Sequence, residues 1–114
     1  MKIAITTQGG ELDSPVDLHF GRVRFFRIVD TETGQQIVLD NSDGLNAVQG
    51  AGTRASQTLA RLGVTRVLTG HVGPKARTAL EAANIQVFPI NNGTVEETVR
   101  AYLDGYWHHP SRIG

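Results

Sequence analysis

A change of hydrophobic period near residue 50 limits what this chain can fold into more than any other feature. Before it, apolar residues follow the two-residue alternation of strands. Lys2–Thr7 alternates through Ile3 and Ile5, and Val23–Asp30 sets Phe26 and Ile28 against Phe25 and Val29, as in a strand covered on both faces. Thr31-Glu32-Thr33-Gly34 is a turn sequence, and Gln36–Asp40 is its returning strand. After it, period 3.6 alternates with short apolar runs. Ala51–Leu62 places Ala55, Leu59 and Leu62 on one stripe, with Gly63 at the C-terminal cap position. Val64–Thr69 reads as a buried strand. Pro74 suits the first turn of a second helix, whose Ala76, Ala79, Leu80 and Ala83 share a face before Asn84 ends it. Ile85–Ile90 is the last strand. Thr94 and Glu97 have capping-box spacing ahead of a third helix lined by Val95, Val99, Tyr102 and Leu103 and closed at Gly105.

The order β-β-β-α-β-α-β-α dictates directions. Three successive strands make an antiparallel meander, so the third runs parallel to the first. Strand–helix alternation then requires parallel strands joined by right-handed crossovers. The expectation is an α/β fold in three layers: a five-stranded mixed sheet with helices on both faces, in the ribonuclease H-like arrangement. A chain of 114 residues has room for one domain and one core.

Composition removes several function classes. Eleven Lys and Arg balance eleven Asp and Glu, so nothing suggests a general affinity for nucleic acid or an anionic membrane. The absence of cysteine excludes disulfides, thiolate metal sites and cysteine nucleophiles together. No apolar stretch approaches the roughly 20 residues of a membrane helix, and MKIAITTQGGELDSP lacks the features of a signal peptide. A cytoplasmic protein is expected.

If strands one, three, four and five share a direction, four segments gather at one edge of the sheet: residues 8–22, Asn41–Gly52, Gly70–Gly73 and Asn91–Gly93. Open α/β sheets bind ligands at the carboxyl ends of their strands. Two helices are also expected to begin there, offering backbone N–H groups and the positive dipole end to an anion. His19, Arg22, Arg24, Arg54, His71 and Lys75 lie in or beside these segments, so a neutral chain can present a locally basic edge. Gly50-Ala51-Gly52 lets backbone approach a ligand closely, and serves equally as an ordinary loop and cap. Gly70-His71-Val72-Gly73-Pro74 joins a buried strand directly to a helix start, a connection that also needs no ligand. His19, before Phe20-Gly21, and His71 are each compatible with a solvated loop. On loops that meet, they become a pair of imidazole ligands for iron or another borderline metal. His108-His109 could bind metal or be incidental to a polar tail, in which Tyr106 and Trp107 suit packing against the domain or a partner.

Common catalytic constellations are missing. Two-metal phosphoryl transfer needs carboxylates on central strands, and neither KIAITT nor VTRVLT contains one. Asp13, Asp17, Asp30 and Asp40 fall in loops or at strand ends. Ser14, Ser42, Ser56 and Ser111 lack a nucleophile elbow. No dinucleotide fingerprint or P-loop occurs.

Several motifs in order then carry a family resemblance: the KIAI start, Ser14-Pro15-Val16 with His19-Phe20-Gly21-Arg22, and Phe26-Arg27-Ile28-Val29-Asp30. Gly50-Ala51-Gly52, Thr69-Gly70-His71-Val72-Gly73-Pro74-Lys75-Ala76 and Gly93-Thr94-Val95 follow. From Met1 to about Gly105 the chain resembles the dinitrogenase iron–molybdenum cofactor biosynthesis family, of the NifX, NafY and NifB C-terminal-domain type. The resemblance implies a domain over 1–105 with a tail at 106–114, and a ribonuclease H-like fold without nuclease activity. It further implies non-enzymatic binding or carriage of iron–sulfur or iron–molybdenum clusters and their precursors, with a cluster-donor or acceptor protein as partner. Such clusters are anionic and bring their own sulfides, so the lack of cysteine is compatible, though it argues against a four-cysteine site. On this reading His19 and His71 are the metal ligands. Gly21, Arg22, Arg24, Gly50, Gly52, Arg54, Gly70, Gly73 and Lys75 form the surrounding cradle. The competing reading is a regulatory or adaptor domain that takes a small anion or a partner protein at its glycine-rich edge.

Overall fold

The computed structural model describes residues 1–41 and 51–105. Residues 42–50, with Gly50, and the tail 106–114, with Tyr106, Trp107, His108 and His109, lie outside the described residues. In chain order the elements are β1 (Lys2–Thr7), β2 (Phe25–Asp30), β3 (Gln36–Asp40), α1 (Ala51–Arg61), β4 (Val64–Thr69), α2 (Pro74–Ala82), β5 (Gln86–Pro89) and α3 (Val95–Leu103). The alternation read from the sequence is the alternation found.

The five strands form one mixed sheet in the order β3-β2-β1-β4-β5. β2 is antiparallel to both neighbours, with Ile28 opposite Ala4 on one side and Ile37 on the other. β4 runs parallel to β1 and β5 parallel to β4. β1, β3, β4 and β5 therefore point the same way, as the sequence requires.

Alternation along the strands divides the interior into two layers. On one face Ala4, Phe26, Ile28 and Val67 meet Ala55 and Leu59 of α1 and Ala76 and Leu80 of α2. On the other, Ile3, Ile5, Val29 and Leu68 lie under Val95, Val99 and Tyr102 of α3. Each large apolar side chain so enclosed contributes about 1.5–3 kcal/mol relative to an exposed one. Phe20, from the loop after β1, fills the first layer against Phe26, ring centroids 5.9 Å apart.

Helix ends follow the expected chemistry. Gly63 after α1 takes a φ of 82°, and Asn84 after α2 one of 59°, the left-handed region these two residue types tolerate best. Two strands are shorter than the sequence suggests. β2 begins at Phe25 because Val23 is drawn into a turn: its N–H reaches the Phe20 carbonyl at 3.4 Å, and its own carbonyl accepts from Asn41 Nδ2 at 2.9 Å. β5 begins at Gln86 because the Ile85 N–H closes on the Leu80 carbonyl at the end of α2. Among the described residues no helix is long and apolar enough to cross a membrane.

Candidate functional site

The carboxyl ends of the parallel strands share one edge. Three helices, not two, begin there, since α1 finishes at the opposite edge, where Lys2 Nζ donates to the Leu62 carbonyl. The segment after β1 folds back across the strand ends. Thr7 and Val16 form a bridge, the Asp17 N–H bonds the Thr6 carbonyl at 2.8 Å, and the Val16 N–H bonds the Gly93 carbonyl at 2.9 Å. Beneath it, the buried Thr6 hydroxyl donates to the Asp17 carbonyl at 2.5 Å and lies 2.8 Å from Thr69 Oγ1.

The folded-back segment then meets the loop after β4. His19 and His71 form a parallel β-bridge, in which the His71 N–H bonds the Leu18 carbonyl at 2.6 Å and the Phe20 N–H bonds the His71 carbonyl at 3.1 Å. Residues directly paired across neighbouring strands project to the same side. Two histidines 52 positions apart in sequence thus leave the backbone as neighbours, and both are exposed. Gly21 and Arg22 continue the chain beyond His19, and Gly73 and Lys75 continue it beyond His71. Arg22 and Lys75 are exposed.

The remaining candidate residues divide by role. Gly70 is required by the chain itself: a Cβ there would stand 2.3 Å from the Leu18 carbonyl oxygen. Gly73 faces open space, with nothing within 4 Å of a Cβ position. It is the N-cap of α2, in extended conformation and with no side-chain cap, followed by Pro74, which has no N–H. Arg24 precedes β2 at the same edge, but its guanidinium lies 5.3 Å over the Phe25 ring. Gly52 and Arg54 fall in the first turn of α1, where Arg54 is exposed and its carbonyl accepts from Thr58 Oγ1. Among the described residues no group of three or more His, Cys, Asp or Glu side chains is placed to hold a metal ion.

The start of α3 differs from the sequence expectation of available N–H groups. Thr94 Oγ1 accepts from the Glu97 N–H at 3.2 Å, and Glu97 Oε1 accepts from the Thr94 N–H at 2.9 Å, a complete capping box. The Val95 and Glu96 N–H groups are taken by the Ser14 and Leu12 carbonyls, each at 2.9 Å. The Thr94 N–H, then the Thr94 hydroxyl, holds the Glu97 carboxyl below its ordinary value. Asn91–Gly93 therefore supports the loop below it: Gly93 supplies the carbonyl that receives Val16.

Sequence reasoning missed Asp17. Its Oδ1 accepts the His19 N–H at 2.9 Å and stands 3.6 Å from His19 Nδ1. The Asp-x-His spacing carried the signal, because aspartate commonly bonds the backbone two residues ahead.

The model of the dinitrogenase iron–molybdenum cofactor family matches residues 1–105 of this geometry's chain. The chain belongs to that family. Within that setting it is 32% identical over 108 residues to an uncharacterized protein of Methanocaldococcus jannaschii, covering 92% of this chain and 87% of the other. Among solved structures it is similar to the apo form of the orange protein from Desulfovibrio gigas, with 43% identity, a TM-score of 0.85, and coverage of 91% and 88%. It is also similar to a Thermotoga protein named as a candidate NifB, with 34% identity, a TM-score of 0.80, and coverage of 91% and 88%.

Proposed function

We propose that this protein is a non-enzymatic carrier that binds an iron–sulfur or iron–molybdenum type metal cluster, or a precursor of one, at the histidine-bearing edge of its sheet. The observation that carries the reading is the His19–His71 bridge in a chain of a family named for the iron–molybdenum cofactor. Imidazole suits iron and other borderline metals, and a preformed cluster brings most of its own ligands as sulfide, so two histidines suffice to hold it. The cluster's negative charge is met by Arg22, Arg54 and Lys75, with Arg24 shared with the Phe25 ring. Gly73 leaves the start of α2 open to an anion. Gly21 and Gly52 would let backbone approach the cluster closely, as would Gly50, which lies outside the described residues, and Gly70 acts indirectly by letting the two loops meet. We read the sheet order, with helices on both faces, as ribonuclease H-like, residues 1–105 as the binding domain and 106–114 as a tail. A cytoplasmic cluster-donor or acceptor protein is the corresponding partner.

Anaerobic incubation with an iron–sulfur or iron–molybdenum cluster should give a coloured one-to-one complex, weakened in His19→Ala and again in His71→Ala. Binding indifferent to both histidines removes the reading. The uncapped start of α2 also favours a second one, a regulatory or adaptor domain that takes a small anion there. It predicts a melting temperature raised by inorganic phosphate without any metal.

A further inference from the structure

We infer that Asn92 is a covalent modification site, where the neighbouring Gly93 nitrogen closes on the side-chain amide and expels ammonia. The product loosens the segment that carries His19. The inference goes beyond the carrier reading and stands without it.

Asn92 and Gly93 lie between β5 and α3, on an open cleft shared with Pro89, Ile90, Glu97 and Thr98. Asn92 is exposed. Among the described residues, neither its side-chain amide nor the Gly93 N–H has a hydrogen-bond partner. The electrophilic carbon and the nucleophilic nitrogen are therefore both free, and water reaches them. Gly93 also brings no Cβ to crowd the approach, and glycine is the residue whose backbone turns most readily.

The step balances without an oxidant. A base takes the Gly93 amide proton, the nitrogen bonds to Asn92 Cγ, and the Cγ–Nδ2 bond breaks to release ammonia. The result is a succinimide ring. Water then opens the ring at either carbonyl. Opening at Cγ leaves aspartate; opening at the main-chain carbonyl leaves isoaspartate, whose main chain runs through Cβ and Cγ and is one atom longer. Either product gives the formally neutral chain one negative charge.

Among the described residues no other position meets these conditions. Asn41, Asn84 and Asn91 are each followed by a residue with a side chain, as is Asn46. Asn41 is buried, with Nδ2 donating to the Val23 carbonyl. Asn84 precedes the β-branched Ile85, whose N–H is held by the Leu80 carbonyl. Asp104 precedes Gly105, but an ionised carboxylate resists attack, and the Gly105 N–H is bonded to the Tyr102 carbonyl at 2.9 Å.

The effect on the fold follows from two anchors. The Ile90 N–H is tied to the Thr69 carbonyl at 3.0 Å, and the Gly93 carbonyl receives the Val16 N–H at 2.9 Å, with only Asn91 and Asn92 between them. An extra main-chain atom there must displace Gly93 or Thr94. Just beyond, the Val95 and Glu96 N–H groups hold the Ser14 and Leu12 carbonyls. The displacement therefore works against the hydrogen bonds that fasten the 8–22 segment to α3.

The test ages the full, metal-free chain in warm, mildly alkaline buffer and separates the products by ion exchange. Wild type should yield a more acidic form that Asn92→Gln does not. Trypsin releases residues 78–100 as one peptide, and its fragmentation should place the change, mainly isoaspartate, at Asn92 while Asn84 and Asn91 still read as asparagine. The isoaspartyl fraction should melt below both fresh wild type and Asn92→Asp, because it alone has the longer main chain. First conversion at any other asparagine or at Asp104 overturns the inference. So does an intact Asn92 in the folded chain after a free peptide of residues 78–100 has fully converted in the same buffer. An isoaspartyl fraction that melts with Asn92→Asp overturns the loosening of the 8–22 segment.

Discussion

Helices α2 and α3 begin at the same edge of the same sheet, each just after a parallel strand, yet their starts are built in opposite ways. α3 opens on Thr94 and a full capping box, with Glu96 and Glu97 in its first turn and its next N–H groups on the Ser14 and Leu12 carbonyls. α2 opens on Gly73-Pro74-Lys75, with no side-chain cap and no acid in its first turn. Topology alone would make both starts anion sites. Side-chain chemistry uses one to bolt the 8–22 segment to the domain and leaves the other open beside His71. The two are complementary, because the segment secured at α3 also carries His19 to the rim.

The largest expected effect tests how the two loops meet. Gly70→Ala places a methyl group against the Leu18 carbonyl, so backbone must move, at a cost of about 2–3 kcal/mol by analogy with overpacked cores. That lowers the melting temperature by about 10 °C or more, and cluster binding falls with it as the bridge between His19 and His71 opens. Gly73→Ala, in open space, should lose far less. Equal losses in the two variants, measured by thermal denaturation, would contradict the distinction between a sterically required glycine and a free one.

Next comes the closed start. Thr94→Ala removes the hydroxyl that receives the Glu97 N–H and should cost about 1 kcal/mol in denaturant titrations. Acid should reduce the same contribution. The folded Glu97 carboxyl lies below its ordinary value of 4.5, so its share of the cap is complete above that pH and is lost as pH falls through the depressed value. The stability gap between wild type and Glu97→Gln should therefore narrow as the pH falls through that depressed value; a gap that stays constant into strong acid contradicts the carboxylate's part.

The smallest effect on stability is the sharpest on function. Gly73→Asp supplies the cap that α2 lacks, in a conformation any residue adopts and with no neighbour to strike. Stability should rise by a few tenths of a kcal/mol, the usual difference between these residues at an N-cap. Anionic cargo should bind more weakly, because the new carboxylate occupies the N–H groups and repels it. Cluster affinity unchanged in Gly73→Asp would take the start of α2 out of the site.

Much of this arrangement is legible in the chain. The period switch at residue 50, Gly63, Asn84 and the Thr94–Glu97 spacing are local signals, each read by the backbone within a few residues. Strand directions follow from the order of elements, because a short turn reverses the chain whereas a helix crossover returns it to the edge it left, giving parallel strands. His19 and His71 were suggested as neighbours on topology alone. Their registration as a bridged pair was not, since it depends on hydrogen bonds between segments fifty residues apart.

Sequence by itself determined the number, kind and direction of the elements and the edge on which chemistry-bearing residues would gather. Tertiary structure alone decided that Gly70 serves a carbonyl of its own chain, that Arg24 lies over Phe25, that α3 is closed, and that Asp17 stands behind His19. The physical reason is range. Period, caps and handedness are set by neighbouring residues, whereas steric fit, hydrogen-bond partners and the use of a helix dipole depend on which distant segments the packed core brings into contact.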